Sequence, residues 1–506
     1  MDVAAEYLGR ILRARVSDIA IESPLEPARR LSARLGNAVL IKREGLQPAF
    51  SFKIRGAYNK MRLLDAAQRR RGVIAASAGN HAQGVAMAGG ALGIDAVIVM
   101  PTTTPAIKVD AVRALGGRAV LHGDTFDDAY LHAREIGDAE ERVFIHPYDD
   151  ADVIAGQGTI AAEILRQSHQ PIDAVFVPVG GGGLIAGIAA YIKAVSPETR
   201  VVGVEPDDSN AMQAALAAGE RVALESVSLF ADGVAVRQVG AEPFRVARAC
   251  VDEMVLVNTD EICAAIKDIF EDTRGIAEPA GALGVAGLTR WVERAAARDR
   301  VLVAIESGAN LNFDRLRYIS ERTETGAHAE VLLAVRIPEA KGSFRRFCGA
   351  LGERAITEFN YRFSDPARAD IFVGLKVRAG DEDRRALIAA LQEQGYPVTD
   401  LTDNEVAKSH VRYMVGGRAR VADEVLYRFE FPERPGALLR FLNQMGERWN
   451  ISLFHYRNHG AADGRVLAGM QVAPEQRRAL RQFLADLGYP YHEETDNPAY
   501  AFYLAG

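Results

Sequence analysis

A lysine between apolar residues is the first feature of this chain that could carry chemistry. Lys53 lies between Phe52 and Ile54 in the segment Ser51–Ala57. Burial in apolar surroundings lowers the pKa of an amine, and a free amine is a nucleophile that can form a Schiff base with an aldehyde. Most lysines are solvated surface residues. Lys53 therefore predicts a covalent amine site only if other segments supply the groups that would bind the rest of an aldehyde cofactor.

A run of four glycines forms the second candidate site. Gly180, Gly181, Gly182 and Gly183 follow an apolar run and, with Leu184, open a helical pattern. Glycines in such a loop let an anion approach backbone N–H groups at a helix N-terminus. The run lacks both the dinucleotide spacing and the Lys-Ser/Thr of a P-loop. A flexible turn is the alternative, but the position between strand and helix favours the phosphate of a small cofactor.

Two further loops carry polar side chains after predicted strands. Ser77, Gly79, Asn80 and His81 follow one apolar run, and Ser307 follows another. The first loop could bind a carboxylate or a phenolate-like oxygen, and the serine could hydrogen-bond a ring nitrogen. By itself, a helix cap explains Ser77 or Asn80 equally well, a structural role is more common for a residue such as His81, and a turn or cap is the more common role of a serine such as Ser307. Together with the lysine and the glycines, they predict a site for pyridoxal phosphate.

The elements that position these loops come from an alternation of short apolar runs with alanine-rich helical patterns. The alternation extends from about residue 20 to residue 320. It predicts an α/β fold with largely parallel sheets, which bind ligands at the carboxyl ends of their strands. Glu278 precedes a predicted helix at Pro279, and we interpret it as a favourable charge at a helix N-terminus.

The last part of the chain contains an internal repeat. It begins after a polar stretch at 321–330, which we interpret as a linker, and the offset between matching segments is 93 to 95 residues. We predict two modules in tandem, 331–402 and 424–495, each with the strand, turn, helix, strand order of a ferredoxin-like module. Their sequences show no cysteine pair, no clustered carboxylates and no nucleophile elbow, which favours binding or assembly over catalysis. The matching segments include Ile337-Pro338-Glu339 with Phe431-Pro432-Glu433, Gly352-Glu353-Arg354 with Gly446-Glu447-Arg448, and Gly395-Tyr396-Pro397 with Gly488-Tyr489-Pro490.

Composition sets the broad class. The chain has 506 residues, of which 48% are hydrophobic and 25% charged, with a formal net charge of -7. These values predict a cytoplasmic protein of several globular domains without nucleic-acid or membrane partners. Cys250, Cys263 and Cys348 fit neither a metal site nor a disulfide framework.

The four loops resemble those of the tryptophan synthase β-like, fold type II, pyridoxal phosphate enzymes. The tandem modules resemble the ACT-like regulatory pair of the long, allosteric threonine dehydratases. The resemblance implies a catalytic domain over 1–320 with two open parallel-sheet subdomains, the smaller at about 45–145. It also implies that Lys53 binds the cofactor aldehyde and acts as general base, and that Asn80 contacts the cofactor 3-hydroxyl. Further implied contacts are those of Gly180, Gly181, Gly182, Gly183 and Leu184 with the phosphate, of Ser307 with the pyridine nitrogen, and of Ser77, Gly79, Asn80 and His81 with the substrate.

The same resemblance implies the reaction and its control. Threonine would be dehydrated and deaminated to 2-oxobutanoate and ammonia, at the first step of isoleucine biosynthesis, by a homotetramer inhibited by isoleucine and antagonised by valine. We expect the effector site near Phe359, Tyr361, Phe454 and Tyr456, although packing in the module cores explains these aromatic residues equally well.

The type of ring partner favours elimination. Ser307 is neutral, so the pyridine nitrogen is not expected to be fully protonated, which favours loss of the β-hydroxyl over racemisation. The cofactor phosphate is a candidate acid for the leaving hydroxide. Alternative readings are another enzyme of this fold type, such as a serine dehydratase, a serine racemase or a threonine synthase, and a non-catalytic amino-acid sensor. The paired modules disfavour the former, and the intact cofactor residues disfavour the latter.

Overall fold

The computed structural model divides into two compact units, residues 1–323 and 324–506. It describes residues 3–228, 230–313, 315–326, 330–352, 354–377, 380–409, 411–414, 416–432, 437–457, 463–498, 500 and 504. No helix within these ranges is long and apolar enough to cross a bilayer.

Two sheets form the framework of unit 1. The strands of the larger sheet are β1 Leu25–Pro27, β2 Ala38–Arg43, β7 Ala174–Pro178, β8 Arg200–Pro206, β9 Glu253–Val257 and β10 Val301–Glu306. Those of the smaller sheet are β3 Val73–Ala76, β4 Ala96–Met100, β5 Arg118–Leu121 and β6 Val143–Phe144. Their orders are β1-β2-β10-β7-β8-β9 and β5-β4-β3-β6, and every pair except β1 with β2 is parallel. Strands β3, β4 and β7 are buried throughout, which is why their sequences are apolar on both faces.

Helices cover both sheets of unit 1. They are α1 Val3–Arg13, α2 Arg29–Leu35, α3 Lys53–Arg62, α4 Ala66–Arg71, α5 Asn80–Leu92, α6 Ala106–Ala114, α7 Phe126–Ala139, α8 Ala151–Gln167, α9 Gly183–Val195, α10 Ala211–Ala218, α11 Ala241–Cys250, α12 Thr259–Thr273, α13 Pro279–Ala295 and α14 Arg315–Gly326. Glycines allow α3 and α8 to pack closely, since a Cβ on Gly156 would lie 2.6 Å from the carbonyl oxygen of Arg55 and 2.7 Å from Cα of Gly56.

Unit 2 is built on one antiparallel sheet of eight strands. They are β11 Glu330–Pro338, β12 Ile356–Arg362, β13 Arg368–Lys376, β14 Val398–Asp400, β15 Glu424–Pro432, β16 Asn450–Arg457, β17 Asp463–Gln471 and β18 Tyr491–Glu493, in the order β14-β11-β13-β12-β16-β17-β15-β18. The helices are α15 Ser343–Leu351, α16 Gly380–Glu393, α17 Glu405–Ser409, α18 Ala437–Met445 and α19 Arg477–Leu487. Each half therefore has the βαββαβ order of a ferredoxin-like module, as the repeat predicts.

The two halves of unit 2 join where β12 pairs with β16. Asn360 lies opposite His455 at the centre of the pairing, and Phe359 and Phe454 contact each other edge to face with ring centroids 5.7 Å apart. Both phenylalanines are buried in one continuous core. The predicted fold class, parallel α/β followed by tandem α+β modules, is confirmed. All three cysteines are buried.

Candidate active site

The predicted cofactor residues meet in one cavity of unit 1, at the carboxyl ends of β7 and β10. The cavity has an empty volume of about 420 Å³, part of which is open to solvent. Of the predicted residues, Ser77, Gly79 and His81 are not part of its wall. The lining residues are Phe52, Lys53, Asn80, Tyr148, Pro178, Gly180, Gly181, Gly182, Gly183, Leu184, Gly233, Val234, Glu278, Ala280 and Ser307.

Lys53 is the first residue of α3 and projects from a buried helix. Its Nζ lies 3.5 Å from the carbonyl oxygen of Pro147 and 5.0 Å from the ring centroid of Phe52. Burial lowers the pKa of Lys53 to about 8, although the negative charge of Glu278 opposes this change. With this pKa, roughly a tenth of the amine is unprotonated at pH 7, far more than for a lysine with the ordinary value of 10.5.

A buried ionic cluster holds α3 in place. Arg55, two residues beyond the lysine, donates to Glu44 at 2.8 Å and to Glu163 of α8 at 2.6 Å. Lys42 of β2 also contacts Glu163 at 2.7 Å. Removal of one partner from such a cluster would leave a buried charge unpaired, at a cost of roughly 3–5 kcal/mol. The cluster thus ties the start of α3 to β2 and α8.

The glycine run forms a cradle at the N-terminus of α9. Gly182 is the N-cap residue with φ of +94°, and no side chain caps the helix. A Cβ on Gly181 would lie 2.2 Å from the ring of Tyr148, and a Cβ on Gly180 would lie 2.8 Å from Cα of Val234. Side chains would fill this space. The N–H groups at the start of α9 are therefore available to an anion.

Asn80 is part of a hydrogen-bonded chain that the sequence did not indicate. Its Nδ2 donates to Oε1 of Glu278 at 2.6 Å, and its Oδ1 accepts from Nδ2 of Asn310 at 2.7 Å. Asn310 also donates to the carbonyl oxygen of Ala49 at 2.9 Å. Burial raises the pKa of Glu278 to about 7. Glu278 is the N-cap residue of α13, but its carboxylate makes no cap hydrogen bond and faces the cavity.

Our interpretation of Glu278 from sequence was therefore incomplete. It does stand at a helix N-terminus, yet its carboxylate binds Asn80 and lines the candidate site. Tyr148, whose ring lies against Gly181, was also missed. Neither residue has a local sequence signal. The hydrogen-bond partner of Glu278 is 198 positions away in the chain.

Ser307 directly follows β10 and supplies a neutral hydroxyl to the wall. It is buried, and its Oγ lies 3.4 Å from the carbonyl oxygen of Ala280. The adjacent segment is fixed by backbone contacts, since the N–H of Phe52 donates to the Ser307 carbonyl at 3.2 Å and Ser51 bridges Gly308. These contacts place Lys53 and Ser307 on two backbone segments that lie side by side.

The loop after β3 is adjacent to the cavity. The N–H of Gly79 donates to Oγ of Ser77 at 3.3 Å, and a Cβ on Gly79 would meet only open space. Nε2 of His81 lies 2.8 Å from the carbonyl oxygen of Ile145. Burial, together with the charge of Lys53, lowers the pKa of His81 to about 3. His81 is therefore a neutral ring fixed by the backbone, which agrees with a structural role.

Comparison with known proteins places both units. The family of pyridoxal-phosphate-dependent enzymes matches residues 16–308, and the C-terminal regulatory domain of threonine dehydratase matches 321–411 and again 415–504. The biosynthetic L-threonine dehydratase of Burkholderia multivorans is 55% identical over 504 residues, which cover 99% of each chain. The chain belongs to the biosynthetic threonine dehydratase family.

Other members of the family and of the fold agree. The biosynthetic L-threonine dehydratase of Escherichia coli K12 is 52% identical over 503 residues, covering 99% of this chain and 98% of that one. The solved structure of processed threonine deaminase isoform 2 from Solanum lycopersicum has a TM-score of 0.62 at 52% identity, covering 63% of this chain and 93% of that chain. The resemblance stated from the loops and the repeat is confirmed.

The cavity fits pyridoxal phosphate, the cofactor of this family. It presents a desolvated amine, a glycine cradle at a helix N-terminus, an amide and a neutral hydroxyl, one for each polar group of the cofactor. The hydroxyl of Ser51, which is buried beside the lysine, has no hydrogen-bond partner among the described residues.

Proposed function

We propose that this chain catalyses the pyridoxal-phosphate-dependent dehydration and deamination of L-threonine to 2-oxobutanoate and ammonia, the first step of isoleucine biosynthesis. The observation that carries the proposal is the convergence of Lys53, the glycine cradle and Ser307 on one cavity. The names and high identity of the full-length relatives support threonine as substrate.

Each residue of the cavity would have a separate task. The glycine run, from Gly180 to Leu184, would hold the cofactor phosphate, while Asn80 would hold the ring hydroxyl. Bound pyridoxal phosphate supplies an electron sink for a broken bond at the substrate α-carbon. The loop of Ser77, Gly79, Asn80 and His81 would surround the substrate carboxylate, while the His81 ring stays on the carbonyl oxygen of Ile145. No cationic side chain lines the described cavity apart from Lys53, so backbone N–H groups and amides would neutralise that carboxylate.

Lys53 would hold the cofactor and then move the proton. Its amine, with a pKa of about 8, is suited to remove the α-proton of the substrate near neutral pH. The carboxylate of Glu278 would orient Asn80 and stabilise the protonated amine after the transfer. Ser307 would donate a hydrogen bond from its hydroxyl to the unprotonated ring nitrogen, which favours elimination over racemisation.

Unit 2 would regulate this reaction. Isoleucine is proposed as the inhibitor and valine as its antagonist, with each effector binding two states of the enzyme unequally. The family match of unit 2 to a regulatory domain supports this assignment. We also propose a homotetramer in the cytoplasm, with a catalytic domain over 1–320, a linker at 321–330 and regulatory modules at 331–402 and 424–495.

The decisive experiment measures release of 2-oxobutanoate from L-threonine, and of pyruvate from L-serine, by the purified holoenzyme, each with and without isoleucine. We expect turnover of threonine, inhibition by isoleucine and relief by valine. Lys53→Ala should abolish both turnover and the visible absorbance of the covalently bound cofactor. A colourless holoenzyme preparation, or colour that survives Lys53→Ala, would contradict the catalytic proposal. Equal rates with and without isoleucine would contradict the regulatory one.

A further inference from the structure

An ion pair joins the two sheets of unit 1 at the edge of the catalytic cavity. Nζ of Lys108 donates to Oδ2 of Asp232 at 2.9 Å. Lys108 is in α6, which lies between β4 and β5 in the chain and packs against α5 and β5. Asp232 begins a short 3-10 helix, Asp232–Val234, which lies between β8 and β9 in the chain. The pair therefore links a helix of the smaller sheet to a loop of the larger one.

This 3-10 helix forms part of the cavity wall. Gly233 and Val234 both line the cavity. A Cβ on Gly180 would lie 2.8 Å from Cα of Val234, and a Cβ on Gly233 would lie 2.9 Å from Cβ of Ala280. The 3-10 helix thus packs between the glycine cradle and the start of α13. A shift of Asp232 would therefore change the shape of the cavity.

The cavity opens to solvent beside the ion pair. Gly233 lines the cavity and is exposed, whereas Val234 is buried. The side chains of Lys108 and Asp232 are 29% and 36% exposed, so the pair lies at the surface next to this opening. Burial has the largest effect on the pKa of Glu278, but Asp232 also raises this pKa and Lys108 lowers it. Both charges are therefore within electrostatic reach of a residue of the wall.

A second cation holds Asp232 from the side of the larger sheet. Oδ1 of Asp232 lies 3.7 Å from Nη1 of Arg315, and the same Nη1 donates to the carbonyl oxygen of Phe230 at 3.1 Å. Arg315 begins α14, which follows β10 of the larger sheet. The shorter contact of Asp232, with Lys108, is the one that crosses to the smaller sheet. Removal of Lys108 would leave Asp232 its local partner and take away the link between the sheets.

We propose that the Lys108–Asp232 pair clamps the smaller sheet and its helices against the cavity wall, and that release of this clamp controls exchange of substrate, product and cofactor with solvent. A closed site excludes water and retains its substrate, but it must open to release product. A partly exposed ion pair is weak enough to break in each cycle. Neither residue lines the cavity, so both are positioning residues. The inference rests on the proposed function only for the identity of the substrate, because access to the cofactor can be measured without threonine.

Two nucleophiles of different size test how far the cavity opens in the holoenzyme. Hydroxylamine and phenylhydrazine both remove the cofactor aldehyde from Lys53 and so bleach its visible absorbance, but phenylhydrazine carries a ring and needs a wider opening. The ratio of the two bleaching rates cancels any change in the reactivity of the aldehyde itself. We expect Lys108→Met and Asp232→Asn each to raise the phenylhydrazine rate relative to the hydroxylamine rate roughly twofold to fivefold, as loss of an exposed ion pair allows.

Another ion pair of unit 1 provides the matched control. Nζ of Lys193 lies 2.8 Å from Oδ2 of Asp252, at the end of α9 that is remote from the glycine cradle. Lys193→Met should leave the ratio of rates unchanged. Combining Lys108→Met with Asp232→Asn should have the effect of either substitution alone, because each removes the same contact. Added potassium chloride should raise the ratio of the parent and not that of Lys108→Met, since salt screens an exposed pair.

The outcomes separate the clamp from the proposed function. A parental ratio in both single variants, or effects that add in the double variant, would overturn the clamp. An equal rise in Lys193→Met would also overturn it, because the effect would then follow from the loss of any surface ion pair. Absence of 2-oxobutanoate from threonine would contradict the proposed function, whereas the bleaching ratio would still support or overturn the clamp.

Discussion

At the scale of single residues, the low pKa of Lys53 has a direct consequence for cofactor capture. Burial lowers this pKa to about 8 from an ordinary 10.5. The free amine reacts with an aldehyde and the ammonium ion does not. We expect the rate of pyridoxal phosphate capture by the cofactor-free chain to rise with pH up to about 8 and then level off. Stopped-flow absorbance would measure this, and a rate still rising steeply above pH 9 would contradict it.

Glu278 predicts a pH-dependent stability of the cofactor-free chain. Its pKa is about 7 in the folded chain and 4.5 ordinarily. Because the folded state holds the proton more tightly, ionisation of Glu278 destabilises the fold as pH rises from about 4.5 to 7. In Glu278→Gln this cost is absent. The free energy of unfolding of the variant, relative to the parent, should therefore increase by roughly 1–3 kcal/mol between pH 4.5 and pH 8.

Denaturant unfolding at several pH values would measure this difference. Glu393→Gln, a substitution at an exposed carboxylate, provides the matched control. A difference for Glu278→Gln that depends on pH no more than that of the control would indicate that the Glu278 carboxylate is solvated in the folded chain.

The site residues that could be predicted from sequence are those whose own neighbours in the chain indicate their role. Lys53, the glycine run, Asn80 and Ser307 each follow or open an element, and short loops after parallel strands converge at one sheet edge. Glu278 gave no such signal, because Glu-Pro is an ordinary helix start and its partner Asn80 lies on another element. In unit 2 the aromatic residues of β12 were visible in sequence, but only the structure shows that Phe359 and Tyr361 are both buried in the core and that the hydroxyl of Tyr361 donates to Glu339.

At the scale of elements, the contact between α3 and α8 determines where Lys53 lies. We expect Gly156→Ala to destabilise the chain by roughly 1–3 kcal/mol, because its Cβ would meet backbone atoms of Arg55 and Gly56 that cannot rotate away. The helices would have to separate, and the lysine at the start of α3 would move with them. The affinity for pyridoxal phosphate should fall in the same variant.

Gly349→Ala in α15 is the matched control, since a Cβ there would meet no atom within 4 Å. It should be neutral or slightly stabilising, as alanine is favoured over glycine in helices. Denaturant unfolding and cofactor titration would compare the two variants. Equal stability of Gly156→Ala and the parent would show that the two helices can separate without cost.

Packing between elements also explains which parts of the fold could be predicted from the sequence. Parallel strands apolar on both faces and a module-sized repeat are long-range patterns that a single sequence displays. The pairing of β12 with β16, which joins the modules into one sheet, depends on register between elements about 95 residues apart, and no local pattern encodes it.

At the scale of the whole molecule, the division into two compact units predicts that catalysis can be separated from its regulation by amino acids. Every residue that lines the catalytic cavity belongs to residues 1–323, and this unit has hydrophobic cores of its own. A chain lacking residues 330–506 should therefore keep the visible absorbance of the bound cofactor and turn over threonine within about tenfold of the parental rate. It should lose all response to isoleucine and valine, because both proposed regulatory modules lie in the deleted residues. Parallel assays of the truncated and full-length holoenzymes would measure both properties, and isoleucine inhibition that survives truncation would place the effector site in unit 1.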